Sequence, residues 1–246
     1  MNNEILKYVL LIGFSVFGII NNSLDFNPIR FKCENYILNS YLYFLLSWGI
    51  ILTTITTLYS KKIKLKDLFS GPFTILLFFS SLMLLVGLMF IPPQLFFTKH
   101  IMYIFYIMLF GIMLYPYYVK NKNLFNYVAL TTLAIILSLS IMAFINPNMI
   151  KDSWGYYLFY GLIFLLIART VEIFTLFNKK NKKKTKWLSY VTIFIFSLYI
   201  LYDTKKLMIN SENCPVPGFS PDYINESLNL FLDSINIFTN VYNTSE

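Results

Sequence analysis

Eight apolar runs, each long enough to cross a hydrocarbon core about 30 Å thick, follow one another along the chain with few charges inside them. They cover residues 5–24, 36–59, 72–91, 101–119, 124–145, 155–177, 187–208 and 223–242. Lipid offers nothing to backbone N–H and C=O groups, so a spanning segment must be a helix or part of a closed barrel. Barrel strands alternate polar and apolar residues, and these runs do not. The expectation is an all-α, polytopic transmembrane helical bundle of seven to eight spans, a single domain over residues 1–246. Composition agrees, because only 13% of the residues are charged, roughly half the fraction of a soluble domain.

The breaks between runs carry Asn-Pro, Pro-Pro, Lys-rich and Pro/Gly segments, and eight of the nine prolines fall there or at run edges. Pro116 alone sits within a run. No Gly-x-x-x-Gly pair occurs, so bulky Phe, Tyr, Leu and Ile are expected to carry the helix packing. The N-terminal run holds Lys7 and lacks a convincing small-residue cleavage site, which reads as a retained first span rather than a cleaved signal.

The net charge of +8 suggests nucleic acid or anionic lipid until its distribution is considered. Twelve lysines fall in alternate loops: Lys61, Lys62, Lys64 and Lys66; Lys120 and Lys122; and Lys179, Lys180, Lys182, Lys183, Lys184 and Lys186. The other loops share six basic residues, Arg30, Lys32, Lys99, Lys151, Lys205 and Lys206. Such a bias places both termini in the cytoplasm and excludes nucleic acid as a partner. Trp154 and Trp187 mark span edges as interfacial anchors. The lysines of 179–186 read first as a topology determinant, with acidic headgroups as the alternative. Cys33 and Cys214 form no Cys-x-x-Cys unit, which excludes a thiol redox motif or zinc site. Both fall on the non-cytoplasmic side, where a disulfide between them is open.

Two acids occupy places that lipid tolerates poorly. Asp203 lies near the end of the seventh run, and Asp233 in the middle of the eighth. A carboxylate at bilayer depth costs about 2.5–3.5 kcal/mol on insertion scales, so it stands as a functional residue until explained. Asn225, Asn229, Asp233, Asn236 and Asn240 follow steps of four, four, three and four, which puts them on one helix face. That polar stripe must face the bundle interior or water. Thr192, Tyr199, Asp203 and Lys206 share a similar face of the preceding run.

Two readings of Asp203 stand, one as a solvated residue near the surface beside Lys205 and Lys206, the other as a partner of Asp233. If the carboxylates meet, they would hold one proton between them, and losing it would add repulsion inside the bundle. Paired carboxylate oxygens also suit a hard cation such as Ca²⁺, although two ligands are too few for a tight site. Transient coordination of Ca²⁺ by Asp203 and Asp233 is the expectation, with no resident cofactor. Arg169 and Glu172 stand at i, i+3 in the sixth run. They either neutralise one another, or Arg169 reaches across to hold a carboxylate of the aspartate pair.

Residues 196–203 (FSLYILYD) and 223–238 (YINESLNLFLDSINIF) resemble the transmembrane BAX inhibitor motif family, the Bax-inhibitor/Lifeguard group. The shared pattern is an aromatic–Asp ending the penultimate span, then Leu-aromatic-Leu-Asp-x-(Ile/Phe)-Asn-(Leu/Ile)-Phe in the last. The likeness is confined to about the last fifth of the chain. It implies a Ca²⁺ leak gated by pH through Asp203 and Asp233. It also implies a multi-pass protein of an endoplasmic reticulum/Golgi-type or plasma membrane that lowers stored Ca²⁺ and inhibits apoptosis. Apart from the resemblance, the spacing and charge of the last three runs offer Tyr199, Asn229, Asn236, Arg169 and Glu172 as a supporting polar face. The family shows about seven spans where this sequence offers eight, and lysines stand where some relatives carry a gate arginine near the second span.

Two further functions compete. A non-conducting membrane regulator would act through partners among cell-death regulators. An intramembrane aspartyl protease would use the two acids to activate water, but its Gly-x-Gly-Asp and Pro-Ala-Leu motifs are absent. His100 is the sole histidine and no phosphate-cradling Gly loop occurs, so the chain is not expected to be an enzyme.

Overall fold

A computed structural model describes residues 3–26, 29–69, 71–178, 186–214 and 221–246. The lysines 179–184 lie outside the described residues. Helix α1 (Asn3–Ser23) leads into a short hairpin, β1 (Leu24–Phe26) and β2 (Ile29–Phe31), and then α2 (Tyr36–Ser60). A single turn, α3 (Leu65–Leu68), precedes α4 (Gly71–Phe90), α5 (Phe96–Lys120) and α6 (Lys122–Ile145). A 3-10 turn at Pro147–Met149 leads to α7 (Trp154–Asn178), α8 (Lys186–Asn213) and α9 (Tyr223–Ser245). Each of the eight apolar runs is thus a long helix.

Seven of these helices are long and apolar enough to cross a membrane, and α9 is the exception. Its 23 residues suffice in length, but Asn225, Glu226, Asn229, Asp233, Asn236 and Asn240 make it too polar by composition. Between the first two runs the chain adds one short hairpin. Strands β1 and β2 pair antiparallel, with Leu24 opposite Phe31, Asp25 opposite Arg30 and Phe26 opposite Ile29.

The chain divides into two compact units, residues 1–122 with 210–228, and residues 123–209 with 229–246. In the first, α1 packs on α2, α2 on α5, and α4 on α5. Helix α2 carries much of its core, with Tyr43, Phe44, Trp48, Ile51 and Ile55 buried. Bulky side chains do not carry the packing alone, although no Gly-x-x-x-Gly pair exists. A methyl group on Gly49 would lie 2.9 Å from Ile12 of α1, and one on Gly111 would lie 2.8 Å from Thr54 of α2. Single glycines therefore set the approach of α1 and α5 to α2.

Polar contacts tie the helix ends of this unit in two sets. At one end the Tyr115 hydroxyl donates to the Ile63 carbonyl at 2.9 Å, while Lys122 pairs with Glu4 at 2.8 Å. At the other, Cys33 and Cys214 form a disulfide, and the Tyr223 hydroxyl donates to the Lys32 carbonyl. Lys99 stands at this end too, corrected from a loop residue to the first turn of α5. It pairs with Asp222 at 2.5 Å and donates to the Ile91 carbonyl at 2.8 Å. These sets match the alternating sides that the lysine bias assigns to the loops.

In the second unit, Ala143, Ile150 and Leu201 form a buried cluster against Leu139, Trp154, Leu198 and Tyr202. Helix α9 from Asn229 onward is enclosed, with Leu230, Phe231, Asp233, Ser234, Ile237 and Phe238 all buried. The Phe238 ring meets Phe125 of α6 edge-on at 4.9 Å. Burial of much of α9 in protein, Asp233 included, eases the conflict between its composition and a bilayer, while Asn229, Leu232, Asn236 and Thr239 stay half-buried.

Candidate functional site: a carboxylate pair on α8 and α9

Asp233 is 5% exposed, and its Oδ2 accepts no hydrogen bond. A buried acceptor left unsatisfied costs roughly 1–3 kcal/mol, more if charged, so the group calls for a specific explanation. Its neighbour is the second acid. Asp203 lies close enough to Asp233 to act on it through charge, and both act on the Tyr199 hydroxyl. Asp203 is half-buried, so it is neither sealed in nor freely solvated.

Local sequence sets these positions. On α8, Tyr199 and Asp203 are one turn apart and share a face, and the Tyr199 ring stacks on Phe196 at 5.6 Å between centroids. The neighbouring Tyr202 lies against Gly155 at the start of α7, so close that a methyl there would stand 2.6 Å from its hydroxyl. This contact holds the aromatic beside Asp203. One residue on, Thr204 is fully buried and donates to Ser140 of α6 at 3.4 Å. Lys205 turns away from the acids, to Asp152 at 2.7 Å and the Ile150 carbonyl at 2.6 Å.

The stripe on α9 is real but not uniform. Asn236 closes onto its own helix, donating to the Leu232 carbonyl at 2.8 Å. Asn240 donates to the Asn236 carbonyl at 2.8 Å, and its Oδ1 accepts from Arg169 Nη2. Asn229 is half-buried. Asn225 belongs to an N-terminal cap instead, its backbone N–H donating to Asp222 Oδ1 at 3.2 Å.

Arg169 pairs with Glu172 at 2.7 Å, as the i, i+3 spacing allows. Its other arm donates to Asn240, and more weakly to Ser189 at 3.3 Å and Thr192 at 3.4 Å. It reaches α9 as one of the two readings required, but at Asn240 rather than at a carboxylate of the pair. Asn240 lies seven positions from Asp233, about 10 Å along the helix axis. The expected site residues thus separate into Tyr199, Asp203 and Asp233 in one cluster and Arg169, Glu172 and Asn240 in a second. Ser189, Ser140 and Thr204 are additions from the structure, because isolated hydroxyls on apolar helices carry no spacing signal.

Chemically, the first cluster can hold a proton between two oxygens or bind a cation briefly. Among the described residues no three His, Cys, Asp or Glu side chains gather as a metal site. A family model described as "Inhibitor of apoptosis-promoting Bax1" matches residues 34–244. No curated protein matches the chain closely enough to count as a relative.

Proposed function

The chain belongs to the Bax inhibitor family, and from that premise we propose that it is a pH-sensitive Ca²⁺ leak gated by Asp203 and Asp233. The observation that carries the reading is the buried, unsatisfied Asp233 oxygen beside a second carboxylate. With one proton shared, the pair is a singly charged unit that apolar surroundings tolerate. When that proton leaves, two like charges face each other in a region of low dielectric, and repulsion favours a looser arrangement of α8 and α9. The loosened pair then offers oxygen ligands to Ca²⁺ in transit.

Ca²⁺ is here the permeant ion, and no resident cofactor is invoked. The pair is read as a gate rather than a catalytic dyad, because Leu-Phe-Leu precedes Asp233 where a protease would carry Gly-x-Gly. The protein is an integral, multi-pass membrane protein. The Cys33–Cys214 disulfide supports a membrane with one oxidising face, such as the endoplasmic reticulum, the Golgi or the cell surface.

The test is Ca²⁺ entry into dye-loaded liposomes holding the purified protein, followed as external and internal pH are varied together. Flux should rise with pH in the wild type and lose its pH dependence when Asp203→Asn and Asp233→Asn are combined. An unchanged pH profile in the double variant would overturn the gate. The family description names inhibition of a cell-death protein, which favours a second reading, a regulator acting through protein partners. Protection of cells that persists in the double variant, without Ca²⁺ flux in either protein, would support that reading instead.

A further inference from the structure

A cavity of about 280 Å³ opens between α7, α8 and α9 within the second unit. On α7 and α8 its polarity is ordered along the helices, while α9 contributes Asn236 and Asn240. On α7 the lining changes from leucines at 162, 165 and 166 to Arg169 and Thr170. On α8, which runs the other way, it changes from Phe196 back to Thr192. The polar end therefore points toward the α7–α8 connection, the loop that carries six lysines between positions 179 and 186.

That end holds a guanidinium that is not saturated. Arg169 keeps 31% of its side chain exposed. Nη1 serves Glu172 and Nη2 serves Asn240, Ser189 and Thr192. Its Nε–H donates to no described residue. The apolar end is open to lipid, because Leu162 and Leu166 are 39% and 67% exposed.

We propose that this cavity binds the headgroup of an acidic phospholipid from the leaflet on the lysine-rich side. The phosphate meets the Arg169 guanidinium, while an acyl chain runs along Leu162 and Leu166. Three features select this occupant. The part-exposed Arg169 guanidinium at the polar end, with its Nε–H unused, complements a phosphate oxygen. The polar-to-apolar order matches headgroup and chain in the bilayer direction. The lysines in the sequence connecting α7 to α8 draw acidic lipids to the leaflet on that side. A zwitterionic lipid gains nothing from the third of these, and a free anion gains nothing from the second. The site is independent of the proposed gate, since neither aspartate lines the cavity.

The experiment is native mass spectrometry of the full chain in detergent, with dioleoylphosphatidylglycerol or dioleoylphosphatidylcholine added at equal amounts. The wild type should retain one phosphatidylglycerol in clear preference to phosphatidylcholine. Arg169→Gln should lower that occupancy about fivefold, the effect of one basic side chain at a lipid surface. Leu162→Trp, which fills the acyl end and leaves the charge alone, should lower it as well, and it decides the matter if the arginine variant does not fold. Equal retention of the two lipids, or wild-type occupancy in Leu162→Trp, overturns the proposal. Displacement of the lipid by excess inorganic phosphate but not by chloride would make this a free-anion site and overturn it too.

Discussion

Cys33 and Cys214 are bonded to each other across 181 positions of sequence, joining the segment ahead of α2 to the residue after α8. The bond belongs to the same helix-end set as the Lys99–Asp222 pair and the Tyr223–Lys32 contact. An oxidised pair requires this end to face an oxidising compartment. Lysine bias assigns the same end to the non-cytoplasmic side, so two unrelated signals agree on orientation.

Breaking that bond should therefore cost stability and report sidedness together. Cys33→Ser is expected to lose roughly 2–4 kcal/mol against unfolding, with a lower melting temperature. In sealed vesicles, after reduction, a membrane-impermeant thiol reagent should label Cys214 only from the face opposite the lysine-rich loops. Labelling from the lysine side would reverse the assigned topology.

The Lys99–Asp222 pair is uneven in burial, and its two removals should differ. Lys99 is 2% exposed and Asp222 24%. Asp222→Ala strands a buried ammonium and should cost about 3–5 kcal/mol. Lys99→Met removes the buried charge and leaves an acid that reaches water, so its cost should be clearly smaller. Thermal melts of the two variants in one detergent check the order.

Glycine contacts on α1 and α2 give a third expectation. A methyl group on Gly49 would meet Ile12 at 2.9 Å, whereas nothing lies within 4 Å of one on Gly13. Gly49→Val should cost about 1–3 kcal/mol through overpacking, and Gly13→Val should be close to neutral. Equal losses at the two positions, read from thermal melts, would mean that α1 does not seat on α2 through Gly49.

Most of the fold is legible in the sequence because a bilayer demands continuous apolar runs. The boundaries of α2, α6 and α7 fall within two residues of the runs that announce them. Helix α5 starts five positions earlier than its run, because Lys99 and His100 look like loop residues. Their partners are distant in sequence. Lys99 reaches Asp222, and the His100 ring meets the Tyr43 hydroxyl at 2.6 Å. The hairpin is hidden because strands of three residues give too little alternation, although Leu-Asp-Phe and Ile-Arg-Phe around Asn-Pro carry that pattern.

At the site, the four- and three-residue steps on α9 suffice to locate Asp233 and Asn240. Helical periodicity fixes which residues share a face, and only tertiary packing decides which neighbour each one meets. For that reason the sequence marks Arg169 as important but leaves its partner on α9 open.

The claim that Asp203 and Asp233 hold one proton between them can be read from the carboxyl C=O stretch in infrared difference spectra recorded across a pH series. A band from a protonated carboxyl should be present at low pH, disappear over the same pH range in which Ca²⁺ flux rises, and move to a lower pH range in Asp233→Asn. A band that persists unchanged in Asp233→Asn, or flux that rises while the band stays constant, would contradict it.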